Sequence, residues 1–145
     1  MIHVRVFNAH PRYRLARKPV EQYVRSVMKS ERRTKADVSV VFIDSRHCRN
    51  LNRQYLHHDY STDVISFPLP DVSRLEGEVY VNLDRARQQA RSYRVSFSNE
   101  VARLVIHGAL HLAGYEDEGR AARRKMRHRE NRYLKHWFAD GSVKE

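Results

Sequence analysis

Residues 101–114, VARLVIHGALHLAG, decide the fold of this chain because they predict one helix that is apolar on nearly every side. A helix of this kind is usually buried in the centre of a domain. Ser98 precedes the segment as the predicted N-cap, with Glu100 in the first turn, and Gly114 follows it as a terminating glycine. We therefore expect a buried helix over residues 99–113, around which the rest of the chain packs.

The remaining sequence predicts one domain over residues 1–145, with about four strands and five helices. Alternating or β-branched apolar residues predict strands at 2–8, 37–43, 63–67 and 77–82. Helical periodicity predicts the other helices at 19–32, after Asp44 or Ser45, from Asn82 or Asp84 to Tyr93, and at 117–138. Pro68 and Pro70 are expected to end the third strand, before an exposed loop at 71–75. The expected fold class is α/β (α+β), a central mixed four-stranded sheet flanked by helices.

The charge of the chain favours a polyanionic partner. Its 145 residues carry 28 Lys and Arg against 17 Asp and Glu, a formal net charge of +11. A surplus of this size on a small domain favours binding to nucleic acid or ribosomes, although it also serves solubility alone. No apolar run approaches the roughly 20 residues that a membrane span needs, and the N-terminus lacks the apolar core of a signal peptide. We therefore expect a cytoplasmic protein with no membrane partner.

Two histidines on the predicted buried helix indicate a metal site. His107 and His111 lie four residues apart, so both side chains leave the same face of the helix, one turn apart. This spacing presents two imidazoles to one ion, and two unpartnered imidazoles would be costly to bury in so apolar a helix. Cys48 is the one cysteine of the chain, which excludes an internal disulfide and a cysteine-cluster site. Such a pair alone is common on protein surfaces, but its apolar surroundings favour a divalent ion.

A carboxylate is expected to complete the site. After a turn at Gly114 the chain can fold back and bring Asp117 toward the histidines, with Glu116 as a rival for the same role. Two histidines and one carboxylate leave a fourth position open for water, as in catalytic zinc sites. The expected cofactor is one Zn²⁺ ion per chain, and the oxygen ligand also admits Mn²⁺ or Mg²⁺.

The frame HxxxHxxGxxD of residues 107–117 is similar to that of metzincin proteases, but one residue counts against their mechanism. Those enzymes carry a glutamate directly after the first histidine as the general base. This chain has Gly108 there, and a glycine cannot move a proton. A protease is therefore disfavoured, and a different metal-dependent hydrolysis is favoured.

Three spaced motifs resemble the YbeY family of bacterial endoribonucleases, which are rRNA maturation factors. The family signature HGxLHLxGYDH matches HGALHLAGYED at residues 107–117. A second family segment, LN…TDVLSFP, matches residues 51–52 and 62–68, and a third, GDI, matches residues 77–79. The resemblance covers about residues 37–137, which is most of the chain.

The resemblance implies a small α/β domain and a single-strand-specific, metal-dependent endoribonuclease. Members act in maturing the 3′ end of 16S rRNA and in ribosome quality control, so the implied partners are rRNA and the small ribosomal subunit. The family's zinc ligands are three histidines, which correspond to His107, His111 and position 117, so Asp117 is a departure. Leu56 is a second departure, because many members carry an arginine there that is thought to act at the active site. Arg53, one helical turn away, is the candidate catalytic residue in its place.

The hypothesis for the chemistry is hydrolysis of an RNA phosphodiester, with a bound ion that activates water. Thr62 and Asp63 are expected either to hold the strand that forms the wall of the substrate cleft or to have a helix-capping or turn role. Glu78 is expected either to fix the tautomer of a metal-binding histidine or to lie exposed on its strand. Phosphate contacts are expected from the last helix, where the candidates are Arg123, Arg124 and Arg127. One alternative stays open, a ribosome-associated binding factor with a structural metal and marginal nuclease activity.

Overall fold

The computed structural model describes residues 1–70 and 73–138, which form one sheet and its flanking helices. In chain order the elements are β1 (Ile2–Asn8), α1 (Arg17–Ser30), β2 (Ala36–Ile43), α2 (Ser45–Leu51), β3 (Val64–Leu69), β4 (Leu75–Asn82), α3 (Leu83–Tyr93), α4 (Phe97–Leu112) and α5 (Arg120–Leu134). A π-helical turn, Asn52–Leu56, extends α2. The predicted fold class, with a mixed four-stranded sheet and five helices, is confirmed.

The sheet has the strand order β1-β2-β4-β3. β2 pairs in parallel with both β1 and β4, whereas β3 pairs antiparallel with β4. Side chains of β2 alternate between the two faces of the sheet because successive residues in a strand point to opposite sides. Val40 and Phe42 belong to a large core on one face, and Ile43 belongs to a small core on the other.

α4 lies at the centre of the large core, as its apolar sequence predicted. It contacts β3 and β4 of the sheet and also the helices α1, α3 and α5. Most of its residues are buried. α2 covers the opposite face of the sheet, where Ile43, Cys48 and Ile65 form the small core. Among the described residues no helix is long and apolar enough to cross a membrane.

Gly108 allows α4 to approach the sheet closely beside the first histidine. A Cβ atom at this position would overlap the side chain of Val79 on β4 and lie 3.3 Å from Ser66 Oγ on β3. The Ser66 hydroxyl also donates a hydrogen bond of 3.3 Å to the Gly108 carbonyl. Gly108, the residue that counts against a protease mechanism, therefore has a packing role, because a side chain at this position would push α4 away from the sheet.

The start of α4 was predicted at the wrong serine. The N-cap is Ser96, whose side chain accepts a hydrogen bond from the Asn99 backbone N–H. The helix therefore begins at Phe97, and Ser98 lies inside its first turn. Either serine could cap a helix by chemistry alone, and the packing of Phe97 against the large core favours the earlier start.

Other element boundaries also differ from the prediction by one to four residues. β3 continues through Pro68 to Leu69, because an edge strand tolerates a residue that has no backbone N–H. α5 begins at Arg120 rather than at residue 117, which leaves Asp117 in the loop before it. Of the predicted loop at 71–75, residues 71 and 72 lie outside the described residues, and Leu75 already belongs to β4.

Candidate metal centre

α4 presents His107 and His111 on one face, one turn apart. Their ring centroids are 5.5 Å apart and the ring planes meet at 63°. The His107 side chain is 20% exposed, and that of His111 is 36% exposed. Their neighbours Ile106 and Leu110 are fully buried. The helix therefore holds two imidazoles at the boundary between the core and solvent.

The C-terminus of α4 turns the chain back toward these rings. Gly114 has a φ angle of 111°, a left-handed conformation that glycine adopts without strain. The Gly114 N–H donates to the His111 carbonyl at 3.1 Å, and the Tyr115 N–H donates to the Leu110 carbonyl at 3.0 Å. These two bonds form a Schellman motif, which ends the helix and satisfies its last carbonyl groups. The predicted role of Gly114 is confirmed.

Glu31 anchors the segment that follows the turn. Its Oε1 atom accepts a hydrogen bond of 2.9 Å from the Tyr115 hydroxyl, and its Oε2 atom accepts one of 2.6 Å from the Tyr133 hydroxyl. Arg129 contacts the same carboxylate at 3.3 Å. Burial, followed by the bond to Glu31, raises the pKa of Tyr133 to about 12. This cluster ties the loop after α4 to α1 and α5, and so fixes where Asp117 lies.

Asp117 completes a cluster of three potential ligands. Its Oδ2 atom lies 3.2 Å from His107 Nε2, and its Oδ1 atom lies 3.3 Å from His111 Nε2. One donor atom from each of the three residues lies within 4.8 Å of the other two. Ligands at about 2.0–2.1 Å from a tetrahedral ion stand about 3.4 Å apart. The two nitrogen–oxygen separations, each to a different oxygen of Asp117, are close to this value. Glu116, the rival candidate, is exposed and does not belong to the cluster.

Glu130 on α5 holds the other side of the His107 ring. Its Oε2 atom lies 2.6 Å from His107 Nδ1, and its Oε1 atom accepts a hydrogen bond of 2.9 Å from Arg103. The bond leaves Nε2 of His107 directed at Asp117, which is the arrangement typical of metal-binding histidines. Burial lowers the pKa of His107, but the bond and charge of Glu130 and the nearby carboxylates outweigh it, and the net pKa is raised.

Two grooves meet at this cluster, and Asp63, His107 and Asp117 line both of them. The helix groove lies among α3, α4 and α5, and its lining includes Tyr93, Glu100, Arg103, Arg123, Arg127 and Glu130. The strand groove lies along β3 and the loop before it, and its lining includes Leu56, His58, Tyr60, Thr62, Ser66 and His111. The cluster is therefore open to an extended ligand from two directions.

The comparison with known proteins decides the family. The family model described as Endoribonuclease YbeY matches residues 6–138. The chain belongs to the YbeY family. The Endoribonuclease YbeY of Chlorobium luteolum is 42% identical over 115 residues, covering 79% of this chain and 84% of the relative. That of Salinibacter ruber is 39% identical over 134 residues, covering 86% and 85%.

A solved structure has a similar fold. The solution structure of TM1509 from Thermotoga maritima is similar to this chain with a TM-score of 0.65 and 27% sequence identity. The similarity covers 92% of this chain and 91% of that one. The family model and the relatives confirm the family membership expected from the three motifs.

The two departures from the YbeY pattern have different surroundings. Asp117 stands within the cluster, where a family histidine is expected, and its carboxylate reaches both other ligands. Leu56, where the resemblance predicts an arginine, lines the strand groove and is 41% exposed. Arg53, the predicted catalytic substitute, is not among the residues that line either groove. Its guanidinium is exposed and pairs with Asp59 at 3.1 Å.

The structure brings together some of the other predicted residues. Thr62 and Asp63 both line the strand groove, which agrees with a wall of the cleft. Asp63 also accepts the Val64 backbone N–H at 2.8 Å, which is the alternative turn role. Glu78 accepts a hydrogen bond of 3.1 Å from the Tyr80 hydroxyl, and the carboxylate that holds a histidine is Glu130.

The predicted phosphate-binding arginines divide into two groups. All three are exposed on α5. Arg123 and Arg127, which lie four residues apart and share a helical face, line the helix groove. Arg124 is not among the residues that line it. The structure therefore places Arg123 and Arg127, but not Arg124, in the helix groove, although nothing in the sequence alone separates them.

Glu100 is a buried carboxyl group at the base of the helix groove, seven residues before His107 on the same face of α4. Its Oε2 atom accepts a hydrogen bond of 2.8 Å from Gln89, and its Oε1 atom has no partner among the described residues. Burial raises the pKa of Glu100, and the Gln89 bond and the charge of Arg103 offset this only in part. The group is therefore held toward its neutral form.

Proposed function

We propose that this chain is a metal-dependent endoribonuclease that cleaves single-stranded RNA by hydrolysis of phosphodiester bonds. The observation that carries the proposal is the His107–His111–Asp117 cluster, which opens onto two grooves. Membership of the YbeY family, whose relatives bear the name endoribonuclease, supports the substrate class. We further propose that it acts in the cytoplasm in maturing the 3′ end of 16S rRNA and in ribosome quality control, with rRNA and the small ribosomal subunit as partners.

The donor set suits zinc and also admits harder ions. Two imidazole nitrogens and one carboxylate are a common catalytic zinc set that leaves a position open. Replacing a family histidine by Asp117 adds an anionic oxygen, which lowers the Lewis acidity of the ion and favours Mn²⁺ or Mg²⁺ more than three nitrogens would. Zn²⁺ is therefore the proposed ion, with Mn²⁺ or Mg²⁺ as the alternatives.

The residues of the candidate metal centre have different roles in the proposed hydrolysis. His107 and His111 would bind the ion through Nε2 and Asp117 through its carboxylate, while Glu130 orients the His107 ring. A divalent ion in this position supplies an activated water and a Lewis acid for a phosphoryl oxygen.

The RNA substrate would bind in the two grooves that meet at the metal centre. Arg123 and Arg127 line the helix groove and would hold backbone phosphates, which agrees with the net charge of +11. The catalytic role of Arg53 stays a prediction, and it requires the exposed pair with Asp59 to open.

One experiment tests the function against its alternative. Bound metal is measured in the wild type, in His111→Ala and in His3→Ala, which removes an exposed histidine on β1. Cleavage of single-stranded rRNA fragments is then assayed with and without chelator. We expect the wild type and His3→Ala to bind metal and cleave, and His111→Ala or chelator to abolish both.

The results separate three cases. Cleavage that survives both His111→Ala and the chelator contradicts a metal-dependent nuclease. Metal that is bound tightly without RNA cleavage favours the ribosome-associated binding factor with a structural ion. Freshly purified wild type without any metal contradicts the site itself.

A further inference from the structure

The loop before β3 displays two aromatic rings beside the candidate metal centre. His58 and Tyr60 are both exposed, and Tyr60 is 55% exposed although it is a large aromatic residue. Their rings are nearly parallel, at 14°, with centroids 5.1 Å apart, and the Tyr60 hydroxyl and His58 Nδ1 share a hydrogen bond of 2.9 Å. Both residues line the strand groove together with His107, His111 and Asp117.

The backbone of this loop is held in place at several points. His57 has a φ angle of 59°, a left-handed conformation that turns the chain out of the π-helical turn. The buried Asn52 side chain donates a hydrogen bond of 2.7 Å to the Tyr60 carbonyl, and the His58 N–H donates to the Asn52 carbonyl at 3.0 Å. Asp59, which stands between His58 and Tyr60 in the sequence, pairs with Arg49 at 2.9 Å. The aromatic pair is therefore presented on an ordered loop, which lowers the entropy lost when a ligand binds.

The two grooves differ in the chemistry that they offer. The helix groove includes the exposed Arg123 and Arg127, which suit phosphate, whereas its Arg103 is already bonded to Glu130 and Asn131. Among the described residues that line the strand groove there is no Lys or Arg, and its rim carries Leu56 and the aromatic pair instead. A strand of nucleic acid that crosses the metal centre would thus meet arginines on one side and the aromatic pair on the other.

We infer that His58 and Tyr60 form a stacking subsite for one unpaired nucleobase of the RNA, next to the phosphate at the metal centre. The inference rests on the proposed function and deepens it, because it names the part of the substrate that the strand groove binds. Every base has a π face, so stacking on an aromatic ring binds single-stranded RNA with little sequence preference. A base in a duplex has both faces covered by its neighbours, so the subsite selects unstacked strands.

The test measures binding of a labelled 10-nucleotide single-stranded RNA by fluorescence anisotropy, with the full chain as purified. The same RNA is then used with one abasic residue, moved through every position in turn. Electrophoresis of the samples shows whether the strand stays intact during the measurement. Four proteins are compared, the wild type, Tyr60→Ala, Tyr60→Phe and Tyr55→Ala. Tyr55 is the matched control, because it is 57% exposed, lies in the π-helical turn just before this loop and is not among the residues that line the groove.

We expect the wild type to lose about 5- to 150-fold in affinity when one particular base is missing. Tyr60→Ala should lose a similar factor with the intact RNA and should no longer respond to that abasic position. Tyr60→Phe, which keeps the ring, and Tyr55→Ala should behave like the wild type. Metal content and thermal unfolding show whether each variant folds. If Tyr60→Ala does not fold, Tyr60→Leu replaces it, because leucine keeps much of the bulk of the side chain without a π face.

Two results overturn the inference. One is that Tyr60→Ala or Tyr60→Leu binds intact RNA as tightly as Tyr55→Ala does. The other is that either variant still loses affinity at the same abasic position as the wild type. Failure of the proposed function has a different signature, because the wild type then shows no chelator-sensitive cleavage in the rRNA assay whatever the anisotropy shows.

Discussion

Glu130 Oε2 lies 2.6 Å from His107 Nδ1, across a separation of 23 residues in the chain. Glu130 is 5% exposed, and its second oxygen is held by Arg103 at 2.9 Å. Arg103 in turn donates to the Asn131 side chain at 2.8 Å. This chain of contacts fixes the His107 ring from the side that faces away from Asp117, so that Nε2 stays free to bind an ion.

Replacing Glu130 should weaken metal binding without removing a ligand. We expect Glu130→Ala to lower zinc affinity by about 10- to 100-fold, because outer partners of metal-binding histidines contribute on this scale. Glu130→Gln retains an acceptor for Nδ1–H and should lose less. Competition with a chromophoric chelator measures the affinity, and Glu118→Ala, which removes an exposed carboxylate from the loop before α5, is the control. Equal zinc affinity in Glu130→Ala and Glu118→Ala would contradict the positioning role.

The third metal ligand can be identified by replacing each of two neighbouring carboxylates, Asp117 and Glu116, with alanine. Asp117→Ala should lower zinc affinity by more than the roughly 10- to 100-fold that the loss of an outer partner costs, because it removes a ligand itself. Glu116→Ala should leave the affinity unchanged, since Glu116 is exposed and outside the cluster. If Glu116→Ala is the variant that loses zinc, the assignment of Asp117 is wrong.

Asp117→His would restore the family's three histidines and tests the effect of the oxygen ligand on metal choice. Zn²⁺ binds well to three nitrogens, whereas Mn²⁺ prefers oxygen ligands. The ratio of Zn²⁺ to Mn²⁺ affinity should therefore rise in Asp117→His relative to the wild type, as measured by competition titration of the two ions. An unchanged or lower ratio would show that the carboxylate does not set the selectivity.

The parts of the site that lie close together in sequence could be predicted, and the parts that meet across the fold could not. The spacing of His107 and His111 follows from helix geometry, and the Gly114 turn and Asp117 follow within six residues of the second histidine. Glu130 lies on another helix, and only the packing of α5 against α4 brings it to the ring. Glu31 is farther still, because it reaches Tyr133 across 102 residues. No local pattern marks either carboxylate.

The same reasoning explains the errors in the fold. Ser96 and Ser98 have equal capping chemistry, and the choice between them depends on where Phe97 packs. Periodicity predicts the last helix from residue 117, whereas the helix begins at Arg120 and the carboxylate of Asp117 belongs to the site. Burial and long-range packing decide such boundaries, and neither is visible in a window of sequence.

The helix groove predicts which arginines bind RNA. Arg127→Ala should weaken binding of single-stranded RNA about equally for all sequences and lower the slope of log affinity against log salt by about 0.7, as expected for one phosphate contact. Arg123→Ala should behave similarly. Arg124→Ala is the matched control, because it removes the same charge from the same helix outside the lining of the groove. An equal change of slope in Arg124→Ala would mean that general charge, and not the groove, positions the RNA.

The buried Glu100 predicts a pH dependence of stability. Burial, partly offset by the Gln89 hydrogen bond and the Arg103 charge, holds the pKa of Glu100 above its ordinary value in the folded protein. As the pH rises past the ordinary pKa, the unfolded chain loses this proton first while the folded protein keeps it. The contribution of Glu100 to stability is therefore fully present below the ordinary pKa and is lost as the pH rises through the folded pKa.

Glu100→Gln removes this titration while keeping the size of the side chain and an acceptor for Gln89. The free energy of unfolding of Glu100→Gln, relative to the wild type, should therefore increase as the pH is raised from about 4 to about 7. Urea unfolding in the presence of chelator, which separates the effect from metal binding, measures the difference at each pH. Glu116→Gln, which changes an exposed carboxyl group in the same way, is measured over the same range as the control. A difference between Glu100→Gln and the wild type that does not change with pH would mean that the folded protein holds Glu100 ionised, with its free oxygen hydrated from the groove rather than buried.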